Sequence, residues 1–221
     1  MWTLLFPIGF FVFFVALVVV ILVYNNKKER ERTQAMQAMA ARLGWSFAAE
    51  APMNTIAGME QYALFSEGHS RQIRNFMYGL ASGVKAAAFD YKYVTGSGKH
   101  QSTHIQTVVY VEPAKLNVPP FALRPESFVH RVLTAFGYQD IDFGQRPEFS
   151  RQFILRGQNE LAIRQTFNDR LLSFFESYQG TCIDAAGNQL FLFRGGYRCQ
   201  PQEIEGLVGL ALQITKLLEQ Y

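Results

Sequence analysis

This chain is poor in the residues that most often announce a chemistry. It holds two cysteines, Cys182 and Cys199, and four histidines among 221 residues. No cluster of Cys and His stands at metal-ligand spacing, which argues against both a zinc module and a disulfide-stapled scaffold. A G-x-S-x-G elbow, a His-Glu-x-x-His pair and a dinucleotide fingerprint are all missing. Charge is sparse and nearly balanced, 21 Lys and Arg against 18 Asp and Glu for a net +3. Without a concentrated basic block, nucleic acid is not an expected partner. The sharpest absence is local: no charged residue occurs between Met1 and Asn26.

That uncharged opening is filled by the apolar run WTLLFPIGFFVFFVALVVVILVY, from Trp2 to Tyr24. As a helix it would extend about 34 Å, against a bilayer core of about 30 Å. A cleaved secretory signal fits less well, because no Lys or Arg precedes the run, it is too long, and no small-x-small site follows. The expectation is a transmembrane anchor over residues 1–26 that meets the lipid bilayer through residues 2–24. Lys27, Lys28, Arg30 and Arg32 follow directly. The positive-inside rule then places the N-terminus outside and the remainder in the cytoplasm, as a single-pass protein. A reducing cytosol keeps both cysteines as thiols.

Beyond the run, Ala35, Met36, Met39, Ala40 and Leu43 recur at helical spacing, which predicts a juxtamembrane helix over 27–44 that ends at Gly44. Residues 45–137 form a first α+β half. WSF (45–47) reads as a short strand, 48–60 as loop, and 71–80 as an imperfectly alternating strand. Val84–Val94 and His104–Glu112 read as clear strands. Paired about Lys99, they put Tyr93 opposite Ile105, Tyr91 opposite Thr107 and Phe89 opposite Val109, a register that gathers β-branched and aromatic residues on one face. The intervening GSGK is therefore a hairpin tip rather than a phosphate loop. Tyr93 and His100 break the P-loop pattern, and a strand rather than a helix follows. The tip is long and polar, and Lys99, His100, Ser102 and His104 make it the candidate interaction loop. VPPFALRPE (118–126) reads as an extended connector, and Ser127–Phe136 as a short helix.

Residues 138–221 form a second α+β half. A strand is expected over 149–157, one amphipathic helix over 158–178, a hairpin turning near Ala186-Gly187-Asn188 with Cys182 facing Phe191, and a final helix over 202–220. Hairpin-linked strands with segregated helices indicate an α+β fold of antiparallel β-hairpins packed on amphipathic helices.

Candidate chemistry is scattered. Asp140 and Asp142 lie two apart and could share a cation, though turn chemistry explains them as well. Asp90, His69, His104 and His130 could join them only through a spatial cluster, and Arg71 with Arg74 could meet an anion. No catalytic residue, cofactor or metal ligand is assigned.

Three stretches, ARLGWSF, FDYKYVTGSGKHQSTH and DIDFGQRPEFSRQFILRG, resemble an uncharacterised bacterial family with an N-terminal membrane segment and a cytosolic domain of unknown function. The resemblance implies the bacterial inner membrane as location and carries over no catalytic residue. Together these readings point to a non-enzymatic interaction, accessory or assembly module for a membrane complex, with a membrane-protein partner of unknown identity. The alternatives are a membrane-tethered enzyme, such as a hydrolase, and a binder of lipid or a small ligand.

Overall fold

The structure is a computed structural model that describes residues 2–128 and 140–219, with side chains for 13–127 and 140–219. It opens on one long helix, α1 (Trp2–Leu43), which has no acidic residue in its first turn and ends at Gly44 in the left-handed region, φ 68°. An antiparallel sheet follows, built from β1 (Ser46–Ala51), β2 (His69–Ala81), β3 (Val84–Thr95), β4 (Ser102–Glu112), β5 (Val118–Pro125), β6 (Phe153–Arg156), β7 (Cys182–Gly187) and β8 (Gln189–Phe193). The helices α2 (Ala63–Ser66), α3 (Pro147–Gln152), α4 (Glu160–Thr166), α5 (Asp169–Ser177) and α6 (Ile204–Leu218) complete it. The spatial order is β1-β2-β3-β4-β8-β7-β5-β6, so residues 45–137 and 138–221 interleave in one eight-stranded sheet: β8 pairs with β4, and β5 lies between β7 and β6.

Both faces of the sheet are buried. On one, Ala86 and Ala88 of β3 and Val109 and Val111 of β4 lie beneath Met36, Met39 and Ala40 of α1 and Val208 and Ala211 of α6. On the other, Phe89, Tyr91, Tyr93, Val108 and Tyr110 are covered by Met59, Leu64 and Phe65 from the segment between β1 and β2. Small side chains under α1 and large ones opposite follow from how closely each layer approaches.

The expected α+β class with antiparallel pairing is present, but the transmembrane anchor expected over residues 1–26 is not found among the described residues. Among the described residues, no helix is long and apolar enough to cross a membrane. Past Tyr24 the same helix becomes polar and then joins the domain core at Met36.

Several local expectations need correction. The β3–β4 register is slipped by one: Tyr93 pairs with His104, Tyr91 with Gln106 and Phe89 with Val108. A 3₁₀ turn at Gly98–His100, with Gly96 at φ 76° and Gly98 at φ 56°, closes the tip between Thr95 and Ser102. Val108 to Val111 are buried on both faces, so alternation could not fix this register from sequence. The proposed connector is strand β5, which sits between β7 and β6. Its ladder shifts between Val118 and Phe121, and that irregularity accommodates Pro119 and Pro120.

Pro147 opens helix α3 where a strand was expected. The single helix over 158–178 is two helices, because the side chain of Asn168 accepts from Leu171 N at 2.9 Å and starts α5 afresh. In the second hairpin Cys182 pairs with Phe193 rather than Phe191, and both cysteines are free and buried. Except for a 3₁₀ turn at Glu126–Phe128, the helix expected over Ser127–Phe136, with His130, lies outside the described residues.

Candidate functional site: a buried ionic clamp at the base of a projecting helix

Asp90 stands in β3 on the face otherwise lined by Ala86 and Ala88, and it is 3% exposed. A carboxylate there requires donors, and four elements supply them. From α1, Arg32 donates Nε to Asp90 Oδ2 at 2.7 Å and Nη2 to Oδ1 at 2.6 Å. From β2, Asn75 donates Nδ2 to Oδ2 at 2.8 Å. The β2–β3 ladder is irregular between Arg74 and Met77, and Asn75 takes φ 52° there, which aims its amide across the bulge. From β4, Thr107 donates its hydroxyl to Oδ1 at 3.0 Å. From the segment after β8, Arg198 donates Nε to Oδ2 at 3.0 Å.

The network continues outward. Arg198 grips Glu29 of α1 through Nη1 at 2.5 Å and Nη2 at 2.7 Å, while Arg32 Nη1 donates to Cys199 O at 2.8 Å. Cys199 N in turn donates to Thr107 Oγ1 at 3.1 Å. Two arginines face two carboxylates, so the clamp is neutral as a whole. Burial alone would raise the Asp90 pKa, but the Arg32 hydrogen bonds and the Arg32 and Arg198 charges hold it below the ordinary carboxylate range. The hydrogen bonds from Arg198 likewise lower Glu29. An ionised carboxylate saturated by donors does not act as an acid or base. It locks α1 to β2, β3, β4 and the 194–199 segment.

Above the clamp, residues 13–28 of α1 are all exposed. Phe13, Leu17, Val20, Ile21, Val23 and Tyr24 are each between 45% and 66% exposed, so the apolar stretch projects from the domain. It is joined without a break to the clamped part of the same helix.

The sequence-singled residues do not gather into one site. Lys99 and His100 lie exposed in the 3₁₀ turn, and Ser102 opens β4 opposite Thr95. His104 stacks on Tyr93 at 4.8 Å and shares a 2.8 Å bond with Thr95 Oγ1. His69 contacts Ser70 Oγ and Gly96 O, and Arg71 is spent on the carbonyls of Ser66, Glu67 and Gly68. Arg74 lies 4.0 Å from Glu50. Asp140 accepts from Leu155 N of β6 at 2.8 Å, and the Asp142 carbonyl accepts from Arg164. Among the described residues, no group of three His, Cys, Asp or Glu could hold a metal ion.

Sequence reasoning missed the clamp because Arg32 and Glu29 read as flanking charge. The usable signal was Asp90 itself, a lone carboxylate in the run AAAFDYKY, whose other residues apart from Lys92 are small or aromatic.

A second buried pair joins β5 to β7, where Arg124 Nη2 donates to Asp184 Oδ1 at 2.6 Å. Arg124 also lies over the Phe193 ring at 4.9 Å, and Asp184 Oδ2 accepts from Leu64 N at 3.0 Å. Glu67 is buried beside this pair, and burial pushes its carboxyl up to about 7 against the pull of Arg124.

No family model matches the chain, and a comparison with curated proteins finds no match. Among solved structures, the fold is similar to the crystal structure of the mycobacterial trehalose monomycolate transport factor A, with a TM-score of 0.58 over 86% of this chain and 93% of that one. Identity is 12%, so the likeness is one of fold alone.

Proposed function

We propose that this chain is a membrane-associated, non-enzymatic accessory module, which holds its folded domain on the cytosolic side of a bacterial cell membrane as an interaction or assembly partner of a membrane complex. The carrying observation is the projecting apolar part of α1, made rigid at its base by the Arg32–Asp90–Arg198–Glu29 clamp. Exposed apolar surface of this kind is covered by lipid or by another protein. A helix fixed to a sheet transmits orientation as well as proximity, and confinement beside membrane neighbours raises effective concentration. The buried, free thiols suit a reducing compartment. A fold neighbour named as a transport factor is in keeping with an accessory role.

The test uses the full chain. Cells are fractionated, and the protein is purified from membranes in mild detergent with its companions identified by mass spectrometry. The expected result is recovery in the membrane fraction with a reproducible integral membrane protein. Phe13→Ser, Leu17→Ser and Ile21→Ser together should reduce both without changing the melting temperature. Recovery in the aqueous fraction, or no reproducible companion, overturns the reading.

A further inference from the structure

The tip of the β3–β4 hairpin and the projecting part of α1 leave the domain at the same end. Trp45, just past α1, donates Nε1 to Leu80 O at 3.1 Å, and Leu80 pairs with Lys85 near the start of β3. Thirteen positions earlier on the helix, Arg32 reaches Asp90, further along β3. Moving toward the start of α1 is therefore moving toward the hairpin tip. From Asp90 to Thr95 the strand advances about 16 Å. The same advance along the helix from Arg32 is about eleven residues, which ends within the apolar stretch. Strand β8 runs the same way: Leu190 pairs with Val111 and Phe193 with Val108, so Arg194 emerges at this end too.

Charge is unequal between the two ends of the sheet. Lys28 and Arg30 on α1, Lys99 at the tip, and Arg194 after β8 are exposed. Lys92 stands on the Asp90 face of β3, one step nearer the tip, and is half-buried. Among the described residues, none of these five forms an ion pair with a carboxylate, and Glu29 is already held by Arg198. At the opposite end Lys85 pairs with Glu112 at 3.4 Å and Arg42 with Glu205 at 2.9 Å, and Lys115 is exposed; at the rim end Lys27 pairs with Glu31 at 3.8 Å. An excess of cations over carboxylates thus lies at the end where the apolar helix emerges, although Arg194 also feels the charge of Glu203.

We infer that this rim, Lys28, Arg30, Lys92, Lys99 and Arg194, is a docking surface for anionic lipid headgroups. The inference rests on the membrane association proposed above. The apolar helix brings the rim to the headgroup layer, and each lysine or arginine there adds an increment of binding that is screened by salt. The long polar tip, which has no part in the domain core, then gains a role: it carries Lys99 to the lipid surface.

The experiment is flotation of the full chain with two sets of vesicles, phosphatidylcholine alone and phosphatidylcholine with one-third phosphatidylglycerol, at low and high salt. The wild type should bind both and favour the anionic set by at least about ten-fold at low salt, with the preference lost at high salt. Lys28→Glu, Lys92→Glu and Lys99→Glu together should abolish the preference while leaving binding to neutral vesicles and the melting temperature unchanged. Equal binding of wild type to both sets overturns the rim and leaves the membrane reading standing. Failure to bind either set overturns both. The salt series on the wild type needs no variant, so a misfolded triple variant does not shield the inference.

Discussion

Arg32 and Asp90 meet through two hydrogen bonds, 2.7 and 2.6 Å long, between a helix and a strand 58 positions apart in sequence. Their side chains are 11% and 3% exposed, so neither charge can fall back on water if the other is removed. Deleting one member of a buried pair costs about 3–5 kcal/mol, whereas replacing both with apolar groups is far milder. Arg32→Met and Asp90→Leu should each destabilise the full chain by several kcal/mol, on that scale, in urea titration. The double variant should recover a substantial part of the loss. Hydrogen exchange should show the loss concentrated in residues 28–43, since the clamp fastens that helix. Single variants within about 1 kcal/mol of wild type would remove the clamp from the account.

Glu67 and the clamp set opposite pH trends. Burial raises the folded-state pKa of Glu67 to about 7, above its ordinary 4.5, against the attraction of Arg124 and with help from Asp184. The folded protein therefore holds this proton more tightly than the unfolded chain. The associated stability is complete below about pH 4.5 and drains away as pH rises through about 7, by an amount on the order of 3 kcal/mol. Asp90 and Glu29 have lowered folded values, so their contribution is present above their ordinary values and is lost as pH falls through the depressed ones. Glu67→Gln should match wild type near pH 5 and exceed it in stability at pH 8. Parallel melting curves at both pH values would contradict the assignment.

Strand existence was readable where turn residues bracket β-branched and aromatic runs, as around β3, β4, β7 and β8. Register was harder. The tip of the first hairpin contains a 3₁₀ turn that alternation does not reveal, and β4 is buried on both faces, so a one-residue slip left every apolar residue still buried. Strand β5 was hidden by Pro119 and Pro120, which a bulge absorbs. The break between α4 and α5 was written in Asn168-Asp169, but the continuous apolar stripe from Ile163 to Phe175 outweighed it. The clamp depends on residues near positions 30, 75, 90, 107 and 198, and only the fold brings such separations together. A partner for Asp90 was inferable from its surroundings, although which arginine served was not.

Gly79 is where the sheet admits Trp45. A Cβ built at this position would lie 2.3 Å from Trp45 Cδ1 and 2.6 Å from Cγ, a contact that requires the indole to move. Trp45 is 8% exposed and belongs to the core beneath α1, held by its bond to Leu80 O. Gly79→Ala should therefore destabilise by about 1–3 kcal/mol through overpacking. The displacement should also red-shift the tryptophan emission, measured against Trp2→Phe variants so that Trp45 alone reports. Unchanged emission and stability would mean that the indole does not lie over Gly79.

The two thiols supply a test of packing, first in the wild type and then in a clamp variant. Cys182 is fully buried in β7, and burial pushes its thiol up to about 11; Cys199 is 1% exposed, and its pKa is also raised by burial. Thiolate is the reactive form, so low access and low ionisation act together. Cys182 faces the aromatic layer with Phe191 and Phe193, whereas Cys199 lies in the core beneath α1 and α6, so the sheet separates them. In the native full chain an aromatic disulfide reagent at pH 8 should label neither thiol over minutes, and both should react in denaturant. Mild oxidants should leave stability unchanged. Asp90→Leu should expose Cys199 before Cys182, because Cys199 hangs on the clamp through Arg32 and Thr107. Equal reactivity of the two thiols in that variant would show that the clamp does not govern the segment that carries Cys199.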